Sequence, residues 1–447
     1  MGEQTEGAGR PLPGRFGLPI LGETLSFARD PFGFFDERAR RYGPVFKTSL
    51  LGARVVCFVG PDAFSAFMDP DRFEREGASP SGLRELLGEG AVPFLDGRAH
   101  LVRKRLLLSA LDRASVARYV PAMERIVGAR LRAWAARGEV RLADEVAELA
   151  FAATDHLFAG GDPERANPEV RAAFDAFNQG AFAPPIRLPF TAFGRALRAR
   201  RTLMRYFEEA VARRREEPGD DVLSGLIAAR DADDHRLDDA QIAGETLHFF
   251  FAAYGGMWAF LTDTAHALVT QSGPAARVRD EVRAQAADGP LTDETLARLA
   301  HVERFCLEVK RFYPVIPFTL FARARRDSTV NGFAIPAGMR AVGCTYATSR
   351  DKATFADPER FDPDRFGPER AEHLKHPFGF VVQGGGSLEG HRCAGEHFSL
   401  VLMKVFAALL ARDYAWEAPP QDLSIDRAKL PPVPRDGLRL VLRPASA

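Results

Sequence analysis

Residues 382–396 read Val-Gln-Gly-Gly-Gly-Ser-Leu-Glu-Gly-His-Arg-Cys-Ala-Gly-Glu, and an amphipathic run from His397 to Ala411 follows directly. This junction of a glycine-rich loop, a cysteine and an expected helix constrains the chain more than any other stretch. Glycines let the backbone turn tightly and lie close to a flat ligand. Cys393 falls just before the helix, where unpaired N–H groups and the positive end of the dipole favour a thiolate. That is the arrangement a thiolate metal ligand needs. A turn carrying one small buried hydrophobe is the plain alternative, and the loop alone does not choose between them.

Composition narrows the classes. Lys+Arg and Asp+Glu each total 60, so no charge excess invites nucleic acid or an anionic membrane. Phe outnumbers Tyr 35 to 7, which points to an apolar interior or pocket lining. Cys57, Cys306, Cys344 and Cys393 have neither metal-ligand nor disulfide-framework spacing, and a reduced, cytoplasmic setting follows. Met1 to Arg10 is polar, with no apolar span for a membrane anchor or signal peptide. There is no internal repeat, low-complexity tract or linker, so one domain is expected over 1–447, with 1–14 irregular.

Apolar periodicity and turn residues predict a mainly α chain with small β-sheets. Helices are expected over Pro31–Tyr42, Asp62–Met68, Gly97–Leu111, Ser115–Arg137, Leu142–Phe158, Pro168–Phe182 and Phe193–Glu217. Shorter or later ones fall at Leu83–Leu87, Asp220–Ala229, Pro274–Ala287, Asp293–Leu299 and Ala300–Tyr313. Strands are expected at Val45–Leu50 and Arg54–Val59 around the turn Leu51-Gly52, and strands and turns again from Phe318 to Cys344. The longest element, Asp238–Gln271, carries little charge after Glu245 and should be buried.

Two further motifs change the weight of the cysteine loop. Glu308-Val309-Lys310-Arg311 puts a carboxylate and a guanidinium on one helix face. Phe361-Asp362-Pro363-Asp364-Arg365-Phe366 stands between it and the loop. The order ExxR, PxRF and glycine loop with Cys resembles the ordered signature of the cytochrome P-450 family, over nearly the whole chain.

The resemblance implies a single domain holding heme b between the long central helix and the cysteine loop with the last helix. Cys393 is then the iron ligand, and such a thiolate favours O–O cleavage on the opposite face. Glu308, Arg311 and Arg365 become a buried charged triad. His100 and Lys104, one helical turn apart, become candidates for the heme propionates, as do Arg323 and His391; solvated surface residues are the alternative. Phe94, Ala252, Gly255, Gly256, Val315, Ile316 and Phe318 should line the distal pocket.

Oxygen-using members carry an acid–alcohol pair in the long helix that delivers protons. Here Ala252-Ala253-Tyr254-Gly255-Gly256 stands where AGxET or AGxDT sits, so Gly255 and Gly256 replace the pair. Two adjacent mid-helix glycines cost about 1 kcal/mol each relative to Ala. Either close approach of the helix to heme or substrate, or a kink, would account for them. Ala243-Gly244-Glu245-Thr246 looks like the missing pair but lies about three turns too early, and is read as a coincidence.

The second half most resembles the hydrogen-peroxide-using fatty-acid peroxygenases, through Leu307–Pro314, the loop opening on Gln383 instead of the usual Phe, and Ala99-His100 with Arg103-Lys104. The opening, Leu12–Thr24, resembles the retinoid- and isoprenoid-oxidising branch. Peroxygenases have Arg-Pro at the acid–alcohol position, where the Arg holds the substrate carboxylate. This chain has neither that anchor nor the relay; His248 is a weak substitute. The expected activity is peroxide-driven hydroxylation or decarboxylation of a fatty acid or terpenoid-like molecule. The alternatives are an O2-dependent monooxygenase with separate ferredoxin and reductase partners, a hydroperoxide isomerase or dehydratase, and a non-catalytic heme sensor. Replacing Cys393 by Ala should abolish turnover and the thiolate signature of the ferrous–CO absorption spectrum.

Overall fold

A computed structural model describes residues 9–18, 22–50, 52–165, 167–313 and 315–445. Helices dominate it. The central helix runs unbroken over Asp239–Thr270, 32 residues or about 48 Å at 1.5 Å per residue. Its start is fixed by a reciprocal capping box: the Asp238 carboxylate accepts from the Gln241 amide, and the Gln241 side chain accepts from Asp238 N–H. Helices Leu142–Ala159, Ala192–Glu216 and Glu396–Asp413 pack against it. The last is buried almost all round from Val401 to Ala411, as its apolar run requires.

The main sheet has five strands in the order Val45–Leu50, Ala53–Phe58, Arg340–Gly343, Ala322–Ala324, Phe73–Glu74. The first two form the expected hairpin, pairing Val45 with Phe58 through Leu50 with Ala53. Of its expected turn, Leu51 lies outside the described residues. The opening motif is tied in by Glu23. Its carboxylate accepts from Arg15, from both Nε and Nη2 of Arg38 and from Thr48. Against the burial penalty, those bonds hold it down to about 2. Helix Thr24–Arg29 and strand Glu139–Arg141 were not expected; each is too short to show a period.

Helix Ala300–Phe312 is the hinge between fold and site. Glu308, Arg311 and Arg365 all have 0 % side-chain exposure. Arg311 grips Glu308 with Nε at 2.7 Å and Nη2 at 2.8 Å, and Arg365 Nε reaches it at 3.2 Å. The spare guanidinium protons go to the carbonyls of Ser349, Ala356 and Arg360 and to Glu372. The triad thus pins the irregular chain of residues 349–372 to a helix. Removing one partner leaves uncompensated buried charge, so Glu308→Ala should cost about 3–5 kcal/mol, read as a shift in the urea unfolding midpoint.

Candidate active site

The cysteine loop is shaped by its glycines. Gly384 and Gly386 have φ of 88° and 77°, which favour a residue without Cβ. A Cβ on Gly385 would meet the Phe378 ring at 2.6 Å. The loop closes with Cys393 N–H donating to the Gln383 carbonyl at 2.8 Å. Arg392 locks it to the first turn of the last helix through two bonds to Glu396, at 2.6 and 2.9 Å, and a third to the Gly386 carbonyl. Cys393 is exposed, whereas Cys57, Cys306 and Cys344 are buried.

Beside the loop lies a cluster of ionisable side chains. The rings of His100 and His391 face one another with centroids 4.1 Å apart. Lys104, 4 % exposed, donates to the Arg392 carbonyl. Asp96 accepts from the backbone amides of Arg75 and Glu76 at 2.8 Å each and faces His391. Against burial, the nearby His391 ring and the bonds from those two amides hold it to about 2. Burial, then the neighbouring charges of His391 and Lys104, push His100 down to about 3, so its imidazole is neutral near pH 7.

Arg75 was missed by the sequence reading. It is 5 % exposed, its guanidinium lies over the Phe67 ring at 4.4 Å, and its Nη1 has no hydrogen-bond partner among the described residues. Burial pushes its pKa down to about 10. A buried guanidinium with a free donor beside two histidines and a lysine fits an anionic ligand. No sequence signal marked it. Arg323 does not join in freely: its Nε and Nη2 are both taken by Glu74.

The central helix is packed at Phe249–Phe250 and again at Met257, but between them Ala252 is exposed and Ala253–Gly256 are half-buried. A Cβ on Gly255 would meet nothing within 4 Å, and one on Gly256 only the edge of Phe260 at 4.0 Å. Neither glycine has positive φ. The helix is continuous through both, so they leave space on one face and do not break it.

The look-alike pair is accounted for elsewhere. Glu245 accepts from the Val92 amide at 2.9 Å, Arg103 at 3.0 Å and His248 at 3.2 Å, and Thr246 bonds back to the Ile242 carbonyl. His248 is therefore held by Glu245 and is no free anchor.

Two expected pocket residues also pack into the core. Phe94, 1 % exposed, is drawn into the core by the short turn Val92–Phe94 that Glu245 holds. Phe318, half-buried, packs edge-on against Phe27 at 5.8 Å and Phe35 at 5.6 Å, beside the aromatic cluster under the sheet. Val315, like Phe318, is half-buried and Ile316 is 43 % exposed, so these three keep free surface.

An accessible sulfur at a helix start, a buried guanidinium with one free donor beside a lysine and two histidines, and an unpacked mid-helix face fit heme: an iron ligand, partners for its carboxylates and room above its plane. The cytochrome P450 family model matches residues 11–434, and the chain belongs to that family. The structure of "Retinoic acid bound cyanobacterial CYP120A1" superimposes with a TM-score of 0.88 at 31% identity, covering 98% of this chain and 100% of that one. "Cytochrome P450SP alpha (CYP152B1) mutant A245E" follows at 0.79 and 30% identity, covering 95% and 99%. Abscisic acid 8'-hydroxylase 2 of Oryza sativa subsp. indica is 29% identical over 443 residues, 96% of this chain and 86% of its own length. The protein is accordingly a heme-thiolate oxidoreductase of the cytochrome P450 fold.

Charge-assisted hydrogen bonds contribute about 1.5–3 kcal/mol each. Arg75→Met should therefore speed heme transfer to a scavenging apoprotein about tenfold or more, followed by the change in Soret absorbance.

Proposed function

We propose that this protein oxidises a hydrophobic carboxylic acid of fatty-acid or isoprenoid type with hydrogen peroxide as the oxidant. The observation that carries the reading is Gly255-Gly256. At the helix position where oxygen-using relatives hold an acid and an alcohol, this chain presents two glycines and unpacked space. Peroxide brings its own protons and electrons, so it makes the smallest demand on a protein relay.

In this reading Cys393 supplies the thiolate ligand, and His100, Lys104, His391 and Arg75 hold the heme carboxylates, with Arg323 at their edge. Heme ligated by a thiolate supplies the O–O cleavage and C–H oxidation chemistry. Ala252, Gly255 and Gly256 leave room for the reacting part of the substrate, and Val315 and Ile316 border it. Absence of a side chain at 255 and 256 lets a substrate carboxylate or a water occupy that space and hold the proton. No described helix is long and apolar enough to cross a membrane, and a cytoplasmic setting goes with this reading.

A second reading has its own support: the abscisic acid relative is named a hydroxylase. It would make this chain an O2-dependent monooxygenase drawing electrons from a ferredoxin and its reductase. The deciding experiment offers mixed fatty acids and isoprenoid acids to the heme-loaded protein, with peroxide alone or with oxygen and an NADPH-driven ferredoxin pair. Products with peroxide alone are expected; products only with the electron donors would overturn the peroxide reading. The double variant Gly255→Glu/Gly256→Thr should raise electron-driven turnover at least tenfold while leaving the helix content unchanged by circular dichroism.

A further inference from the structure

Lys310 sits between Glu308 and Arg311 in sequence but points the other way, since two residues turn a helix by about 200°. It is 1 % exposed, and among the described residues no carboxylate pairs with it. The nearest acid on the last helix, Glu396, is gripped twice by Arg392. The three ammonium protons go instead to the Gln383 side-chain oxygen at 2.8 Å, the Ser399 hydroxyl at 2.8 Å and the Glu396 carbonyl at 3.1 Å. The Phe260 ring lies 5.0 Å away on the side of the central helix. A buried ammonium without an anion is expensive. Of the two thiols near Lys310, Cys306 is buried in the core, and burial pushes it up to about 12; Cys393 is exposed beside the Gln383 amide, and its thiolate form would supply the missing charge.

Lys310 also settles the direction of the Gln383 amide. An ammonium has donors only, so the amide oxygen must face it. The amide nitrogen is thereby turned to the other side, 3.6 Å from Cys393 Sγ and 3.4 Å from Ser399 Oγ. A glutamine at this loop position without the lysine could present either end to the sulfur.

We propose that Lys310 is a positioning residue for the iron ligand: by holding the Gln383 oxygen it fixes an N–H donor on the Cys393 sulfur, draws electron density from the thiolate and raises the ferric/ferrous reduction potential. The inference rests on heme-thiolate ligation and not on the choice of oxidant. It is read on resting protein, without substrate or peroxide, so its failure would leave the peroxide reading untouched.

The test is a redox titration of the heme-loaded protein with the infrared C–O stretch of its ferrous–CO form. Gln383→Met removes the donor without changing charge. It should lower the ferrous-to-ferric ratio at fixed poise about tenfold, about 59 mV for one electron, and lower the C–O frequency. Lys310→Met should move both in the same direction, and Lys310→Arg should restore them. Added to Gln383→Met, Lys310→Met should contribute less than half of its shift in the parent. Parent values of potential and C–O frequency in Gln383→Met would overturn the proposal and leave Lys310 a structural strut. Should Lys310→Met fail to hold heme, Gln383→Met and Lys310→Arg still decide the question.

Discussion

A carboxylate without solvent exposure carries more of this architecture than any hydrophobic contact. Glu308 meets two guanidiniums at hydrogen-bond distance, and their remaining protons stitch residues 349–372 to a single helix. That segment has no strand or long helix of its own to set its path. Buried ion pairs add little net stability compared with apolar packing, but a missing partner is heavily penalised. The triad therefore selects one course for the chain leading to the cysteine loop. The same helix reaches the loop directly through Lys310, so one rigid element sets both the approach and the surroundings of the sulfur.

Long elements were legible because a period repeated over many residues leaves few alternatives. The helix expected over Pro31–Tyr42 is found there, and the central helix differs from its expected bounds by one residue at each end. The cysteine, its glycines and the ExxR helix were legible because each demands a particular residue type at a particular spacing. The family assignment followed from their order.

What the sequence hid was set by tertiary partners. Arg75 is one of many arginines until the fold buries it and leaves a donor unpaired. Glu245 and Thr246 imitate a catalytic pair in one dimension; in three, Arg103, His248 and the Val92 amide consume the acid. Phe94 and Phe318 were expected to line the pocket, and nothing in one dimension showed that an aromatic ring also goes where it finds other rings and apolar contacts. For Phe318 those are Phe27 and Phe35.

Under the proposed reading, the unpacked face at Gly255-Gly256 bears on selectivity as well as on proton supply. A protein-borne acid would stand ready whether or not a guest is present. Where the acid must arrive with the guest, occupancy and activation become a single event, and a lipid of the right shape without an acidic group would bind without being consumed. Such a site would discriminate by what its guest can do as well as by how the guest fits. It would also spare the protein oxidative damage during the intervals when the pocket holds only water.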